Sequence, residues 1–168
     1  MTISMYQISV PVFAKTLGNL SAVLDKAAAF ATARKIDQSV MLGLRLAPDM
    51  LNFTRQIQVA CDFAKGASAR LAGAEVPSWE DKEANFDDLK ARIARTITFI
   101  NAFKPAQIDG SEERDININI RGEAKTFKGQ PYLLQQVLPN FFFHSATAYD
   151  ILRHNGVEIG KRDFIGQI

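Results

Sequence analysis

The chain has 168 residues, a length that suits one domain able to bury a core without disulfide or metal staples. Hydrophobic residues make up 47% of it and the formal net charge is +2, a balance too mild for a nucleic-acid footprint. The densest basic spot is Lys161-Arg162, and no apolar run approaches the length of a membrane span.

The first helix is read from Val10, Phe13, Leu17, Leu20, Leu24, Ala27 and Ala31, whose alternating steps of three and four form one apolar stripe. Pro11 falls in its first turn, and Arg34-Lys35-Ile36-Asp37 ends it. A short apolar segment, Val40 to Leu46, follows. The second helix is expected after Ala47-Pro48-Asp49, with Asp49 as N-cap. Its stripe is Met50, Phe53, Ile57, Ala60, Ala64, Ala67 and Leu71, and Gly73 marks its stop. Beyond a loop holding Pro77, Ser78 and Trp79, Asn85 caps a third helix with Asp87 and Asp88 in its first turn. Phe86, Leu89, Ile93, Ile97, Ile100 and Phe103 form its stripe, and Lys104-Pro105 closes it.

Asp115-Ile116-Asn117-Ile118-Asn119-Ile120 alternates with period two, the pattern of a half-buried strand. Arg121-Gly122-Glu123 reads as a turn, and Ala124 to Phe127 pairs back as a hairpin. The last helical region runs from about Tyr132 to His154, with Leu134, Leu138, Phe141, Ala148 and Leu152 on one face. Pro139 either starts a new helix there or kinks a continuous one. Asn155-Gly156 ends it. Four amphipathic helices each need a partner for their stripe, so an all-α, antiparallel four-helix bundle with an inserted hairpin satisfies them as one domain over 1–168.

Three motifs sharpen this reading. They are Arg45-Leu46-Ala47-Pro48-Asp49-Met50, Leu138-Pro139-Asn140-Phe141-Phe142-Phe143-His144, and Thr147-Ala148-Tyr149-Asp150-Ile151-Leu152-Arg153-His154-Asn155-Gly156, the last followed by Gly160-Lys161-Arg162-Asp163-Phe164. Together they resemble an uncharacterised bacterial family of the DinB/YfiT-like superfamily, over nearly the whole chain. The resemblance implies a DinB-like four-helix bundle, often dimeric. In better-known relatives three histidines bind a divalent metal, one from the second helix and two, four apart, from the last. Some of them use the metal to activate a low-molecular-weight thiol. This chain departs from that pattern, because it has only two histidines. Aligning the end of the last helix puts His144 at the second of the paired positions and Asn140 at the first, and the second helix has no histidine.

His144 shares a helix line with Val137 and Ile151, at the border of the apolar stripe, since a helix turns ~100° per residue. It is either a ligand or general base lining a bundle pocket, or a border histidine bonded to a neighbouring helix. Its predicted partner is Gln56, the one polar residue of the second helix placed toward the bundle centre. Gln58 lies on the other flank, and Asp62 reads as a solvated helix residue. Asn140, one turn before His144, is a poor ligand for metals that histidine prefers and also suits a capping role beside Pro139. His154 suits a helix C-terminus. Tyr149 is expected to bond across the bundle, and Trp79 and Phe86 to pack the connecting loop. Cys61, the only cysteine, excludes an internal disulfide and reads as a small buried hydrophobe.

No P-loop, dinucleotide-binding glycine pattern, nucleophile elbow or zinc-finger spacing is present. Two functions remain. One is a bundle that binds a small molecule, or a weakly held divalent metal, near His144, Asn140 and Gln56. The other is a non-catalytic dimeric scaffold that has lost the superfamily site. Tightly bound zinc is not expected, His144 being the one plausible ligand, and neither reading names a catalytic residue or a reaction. A homodimer is expected through the alanine-rich faces of the first helix (Ala27, Ala28, Ala29, Ala31, Ala33) and the second (Ala60, Ala64, Ala67, Ala69), with neither nucleic acid nor membrane as partner. The single cysteine, and a start (Met1-Thr2-Ile3-Ser4-Met5) without charged and apolar leader regions, fit a cytoplasmic location.

Overall fold

A computed structural model describes residues 3–167. The N-terminal expectation at Met1-Thr2 lies outside the described residues. The elements in chain order are α1 (Val10–Arg34), α2 (Gln38–Gly43), α3 (Phe53–Ala72), α4 (Phe86–Asn101), α5 (Pro105–Ile108), β1 (Asp115–Ile120), β2 (Glu123–Lys128), α6 (Gly129–Pro131), α7 (Leu138–His154) and α8 (Lys161–Ile165). A π-helical turn, Tyr132–Val137, joins α6 to α7. The bundle helices are α1, α3, α4 and α7. Each packs on two neighbours in the ring α1–α4–α3–α7, so the sequence-adjacent pair α1 and α3 face each other across the core.

The apolar stripes bury as their periodicity dictates. Phe13, Leu17, Leu20 and Leu24 of α1 meet Ile57, Ala60, Ala64 and Leu71 of α3, Leu89, Ile93 and Ile100 of α4, and Phe141, Ala148 and Leu152 of α7 in one core. Fully burying a large aliphatic or aromatic side chain contributes ~1.5–3 kcal/mol, so these stripes dominate the drive to fold. Phe13 and Phe141 meet edge to face at 4.9 Å, linking the first and last helices.

Local chemistry sets most boundaries. Asn85 caps α4, its side chain accepting from the Asp88 amide at 2.8 Å. Gly73 ends α3 in the left-handed conformation at φ 70°. α3 starts later than Asp49: residues 47–50 form a turn closed by Met50 N–H to the Ala47 carbonyl, and Asn52 is the cap, accepting from the Arg55 amide at 3.0 Å. The last helix differs too. Pro139 cannot donate to the carbonyl four residues back, and its ring crowds that carbonyl. The chain widens into a π turn just upstream, where Leu138 N–H reaches the Leu133 carbonyl. The wider turn moves the stripe onto Leu133, Val137 and Phe141, while Leu134, expected inside, is exposed.

The two strands form an antiparallel hairpin with Ile118 opposite Lys125 and Ile120 opposite Glu123. Arg121 and Gly122 both have positive φ, 54° and 87°, the signature of a tight two-residue turn whose twist matches the strands. Ile116, Ile118 and Ile120 occupy alternate positions of one face, with the buried Ile116 anchoring the hairpin on the bundle. α8 closes on α1 through a Lys26–Asp163 ion pair at 2.7 Å and a bond from Asn19 to the Phe164 carbonyl.

Gly129 lies where β2 turns into α6, and a Cβ there would collide with the Ser111 carbonyl oxygen. Gly129→Ala is expected to destabilise the protein by about 1–3 kcal/mol. Gly18, inside α1, has nothing within 4 Å of its missing Cβ, so Gly18→Ala is expected to stabilise by about 0.5–1 kcal/mol. Urea denaturation midpoints moving in opposite directions check both.

Candidate functional site

α3 and α7 pack closely, and this contact brings His144 to Gln56. His144 Nδ1 lies 2.7 Å from Gln56 Oε1. The Gln56 amide nitrogen donates to the Leu51 carbonyl at 3.0 Å, which turns its oxygen toward the ring. An amide oxygen only accepts, so Nδ1 carries the hydrogen and the neutral ring keeps its lone pair on Nε2. Burial holds the His144 pKa below the ordinary histidine value. Phe63 of α3 stacks on the ring at 6.0 Å, and Phe143 meets it edge-on at 5.2 Å. The arrangement is a neutral imidazole with a fixed tautomer, able to accept a proton or hydrogen bond through Nε2.

On the other side of Phe63 a cleft of about 850 Å³ opens between α3, the hairpin and the start of the last helix. Its walls include Val59, Phe63, Ile118 and Ile120, with Arg70, Tyr132 and Asn140 supplying polar groups. Asn140, placed by sequence beside His144, lines this cleft. Its amide nitrogen donates to the Gln136 carbonyl at 2.6 Å, satisfying an acceptor at the disturbed turn. Of the three candidates, the structure joins His144 and Gln56 directly and sets Asn140 one turn away.

Between α3 and α4 lies a charge network that sequence reasoning missed. The Arg92 side chain is 2% exposed and meets Asp62 at 3.1 Å, Asp81 at 2.8 Å and Glu83 at 3.0 Å. Lys65 also holds Asp62, at 2.8 Å. Gln58, buried, donates to Glu83 at 2.6 Å, and Arg55 bonds Gln58 and Asp81. Asp62 is therefore an ion-pair partner rather than a free solvated residue. The available signal was Arg92 itself, a charge one step from Ile93 inside an apolar stripe. Burial opposes ionisation of Asp81 and Glu83, yet hydrogen bonds and the Arg92 charge outweigh it and hold both below the usual carboxylate range. Trp79 sits between two cations, Lys65 at 4.4 Å and Arg95 at 4.2 Å from its ring.

The remaining candidates take structural places. Cys61 is fully buried and desolvation pushes its thiol up to about 12, so it is no nucleophile at neutral pH. His154 is exposed in the last turn of α7. Tyr149 packs against Phe164 of α8 at 5.8 Å instead of bonding across the bundle.

Residues 5–165 match the family described as "Domain of unknown function (DUF1993)". The chain belongs to this family. It is also similar to a crystal structure of a DinB family member from Shewanella denitrificans, with 42% identity, a TM-score of 0.89, and coverage of 97% of this chain and 92% of that one. No curated protein matches the chain. Membership of DUF1993 and likeness to a DinB protein agree with the resemblance read from the motifs around Pro48, His144 and Tyr149 and with the helical fold carrying a hairpin before its last long helix.

The three-histidine centre that the resemblance implies does not fit this DUF1993 chain. Among the described residues no group of three His, Cys, Asp or Glu side chains is placed to hold a metal. The Gln56 oxygen is committed to His144, and the Asn140 amide is engaged with Gln136. Neutral amide oxygens are also weak partners for metals that prefer imidazole.

Two outcomes follow from the site geometry. In a nitrogen-15 NMR titration His144 is expected to be the Nδ1–H tautomer, with a midpoint below the usual histidine value. Its folded pKa is depressed, so the stability it contributes is complete above the unfolded histidine pKa of ~6.5 and is lost as pH falls through the folded pKa. Removing the cation in Arg92→Ala leaves Glu83 with Gln58 alone, with an expected cost of about 3 kcal/mol by denaturant melt, because Asp62 keeps Lys65, Asp81 keeps Arg55 and both aspartates are partly exposed.

Proposed function

We propose that this protein binds a small organic molecule in the cleft between α3, the hairpin and the last helix, whose Phe63 wall is backed by the neutral imidazole of His144. In this reading residues 1–168 work as one domain. The observation that carries it is the pairing of His144 with Gln56. A half-buried imidazole that needed only structural satisfaction could use either nitrogen. Here the amide fixes Nδ1–H and leaves Nε2 as acceptor, beside a ring, Phe63, that also walls the cleft. Apolar walls with few polar groups are the usual make-up of a small-molecule site. Family likeness gives no reaction, because chemistry belongs to the site and not to the fold.

The test is an NMR titration of nitrogen-15 protein with 4-phenylbutanamide, a neutral probe with an aromatic ring and a flexible apolar stem. Saturable shifts at Val59, Phe63, Tyr132 and Asn140 are expected. They should weaken in His144→Ala and vanish in Val59→Trp, which fills the cleft. Shifts scattered over the surface, or none, would end this reading.

A second reading, a self-associating scaffold, is favoured by one observation. Leu134 (44%), Phe142 (39%) and Phe143 (53%) leave apolar side chains of the last helical region exposed. The alanines that first suggested pairing favour it less: Ala60, Ala64, Ala67 and Ala69 are all spent inside the subunit. Of the first helix, Ala29 and Ala33 remain exposed. If the scaffold reading holds, light scattering at micromolar concentration gives a dimer mass and Phe143→Asp returns the monomer. His144→Ala then lowers thermal stability without affecting any ligand.

A further inference from the structure

We infer that the cleft is built for an organic carboxylate, whose anionic head is received by the Arg70 guanidinium and the Tyr132 hydroxyl while its apolar body lies against Val59, Phe63, Ile118 and Ile120. This inference rests on the small-molecule reading of the same cleft and names the ligand class.

Arg70 is held in place rather than extended into water. Its Nη1 donates to the Tyr132 hydroxyl oxygen at 3.1 Å. The guanidinium folds back over Gly66, where an added Cβ would stand 2.5 Å from Nη1. A glycine in the middle of a helix costs ~0.5–1 kcal/mol relative to alanine. At this position the missing side chain is what makes room for the guanidinium. Among the described residues no carboxylate stands within 4.0 Å of it, whereas the other acidic groups of the cleft are matched. Asp62 is held by Lys65 and Arg92, and Glu123 faces Lys125 at 3.7 Å.

Tyr132 completes the receptor. It is 3% exposed, and desolvation raises its pKa, so it keeps its proton. Its oxygen accepts from Arg70, and among the described residues its own hydrogen meets no acceptor. A guanidinium N–H and a phenol O–H side by side make a flat pair of donors, which suits the two oxygens of a carboxylate. The hairpin adds a positive rim. Lys125 stands opposite Ile118 in the register and so shares its cleft-facing side. Arg121 is held at φ 54°, a left-handed conformation unfavourable for arginine, and lines the same cleft.

The experiment compares 4-phenylbutanoate with 4-phenylbutanamide by NMR titration at pH 7 and low salt. The wild type is expected to bind the carboxylate at least tenfold more tightly than the amide, with shifts at Phe63, Tyr132 and Ile118. Arg70→Gln should bring the ratio close to one. Gly66→Ala should do the same with the charge retained, because its methyl displaces the guanidinium. Alanine favours the helix, so this second variant keeps the test valid if Arg70→Gln folds poorly. Tyr132→Phe should lower the ratio several-fold. Equal affinity of the wild type for both probes would overturn the carboxylate assignment and leave the small-molecule cleft standing. A preference unchanged in both Arg70→Gln and Gly66→Ala would overturn Arg70 as the receptor. Failure of both probes to shift the cleft would overturn this inference together with the reading it rests on.

Discussion

Small residues on α3 govern the rest of the molecule. Ala60, Ala64 and Ala67 are fully buried, and they let α4 approach on one flank and α7 on the other. A helix so enclosed has few directions in which to place polar side chains, and each of them must find a partner. Gln56 meets His144 toward α7, while Gln58 and Asp62 join Arg92 toward α4. The two polar regions lie on opposite flanks of a single helix and meet at Asp62, which pairs with Arg92 and also lines the cleft.

The two regions differ in what they leave unspent. Around Arg92, positive and negative groups answer one another, and the network is built from Asp62, Asp81 and Glu83 with Arg55, Lys65 and Arg92. Such an arrangement orients the loop before α4 against α3, and most of its polar groups are engaged, the buried Arg92 Nε being the exception. On the α7 side the groups retain capacity. The imidazole keeps a lone pair, and Arg70 keeps donors that no carboxylate takes up among the described residues. Unspent polar capacity beside apolar walls is what the proposed small-molecule reading rests on.

Glutamine at position 56 has a particular consequence. The amide binds both ways, donating to Leu51 and accepting from His144, and so bridges the loop before α3 to the last helix. This consumes the oxygen that could have reached a metal. Gln56 thereby sets the tautomer of His144.

Much of the fold was legible in the sequence because it is written in local periodicity. The stripes of α1, α3 and α4, the caps at Asn85 and Gly73, and the alternation of Asp115–Ile120 each depend on neighbours within a few residues. His144 and Gln56 were also legible as border residues of two stripes bound to meet. What escaped was decided by contacts distant in the chain or by competition between close alternatives. Asp49 and Asn52 are both good caps, and the turn at 47–50 selects Asn52. Pro139 announced a disturbance, but only the packed helix shows it as a π turn that rotates Leu134 outward and Leu133 inward. Gln56, Phe63 and Arg70 lie seven apart on one line of α3, a pattern visible in the chain. Its meaning depended on Tyr132 and the hairpin arriving opposite. Helix and strand periods report which side of an element is apolar. They carry no information about which distant polar group will stand across from it, because that is fixed by how the elements pack.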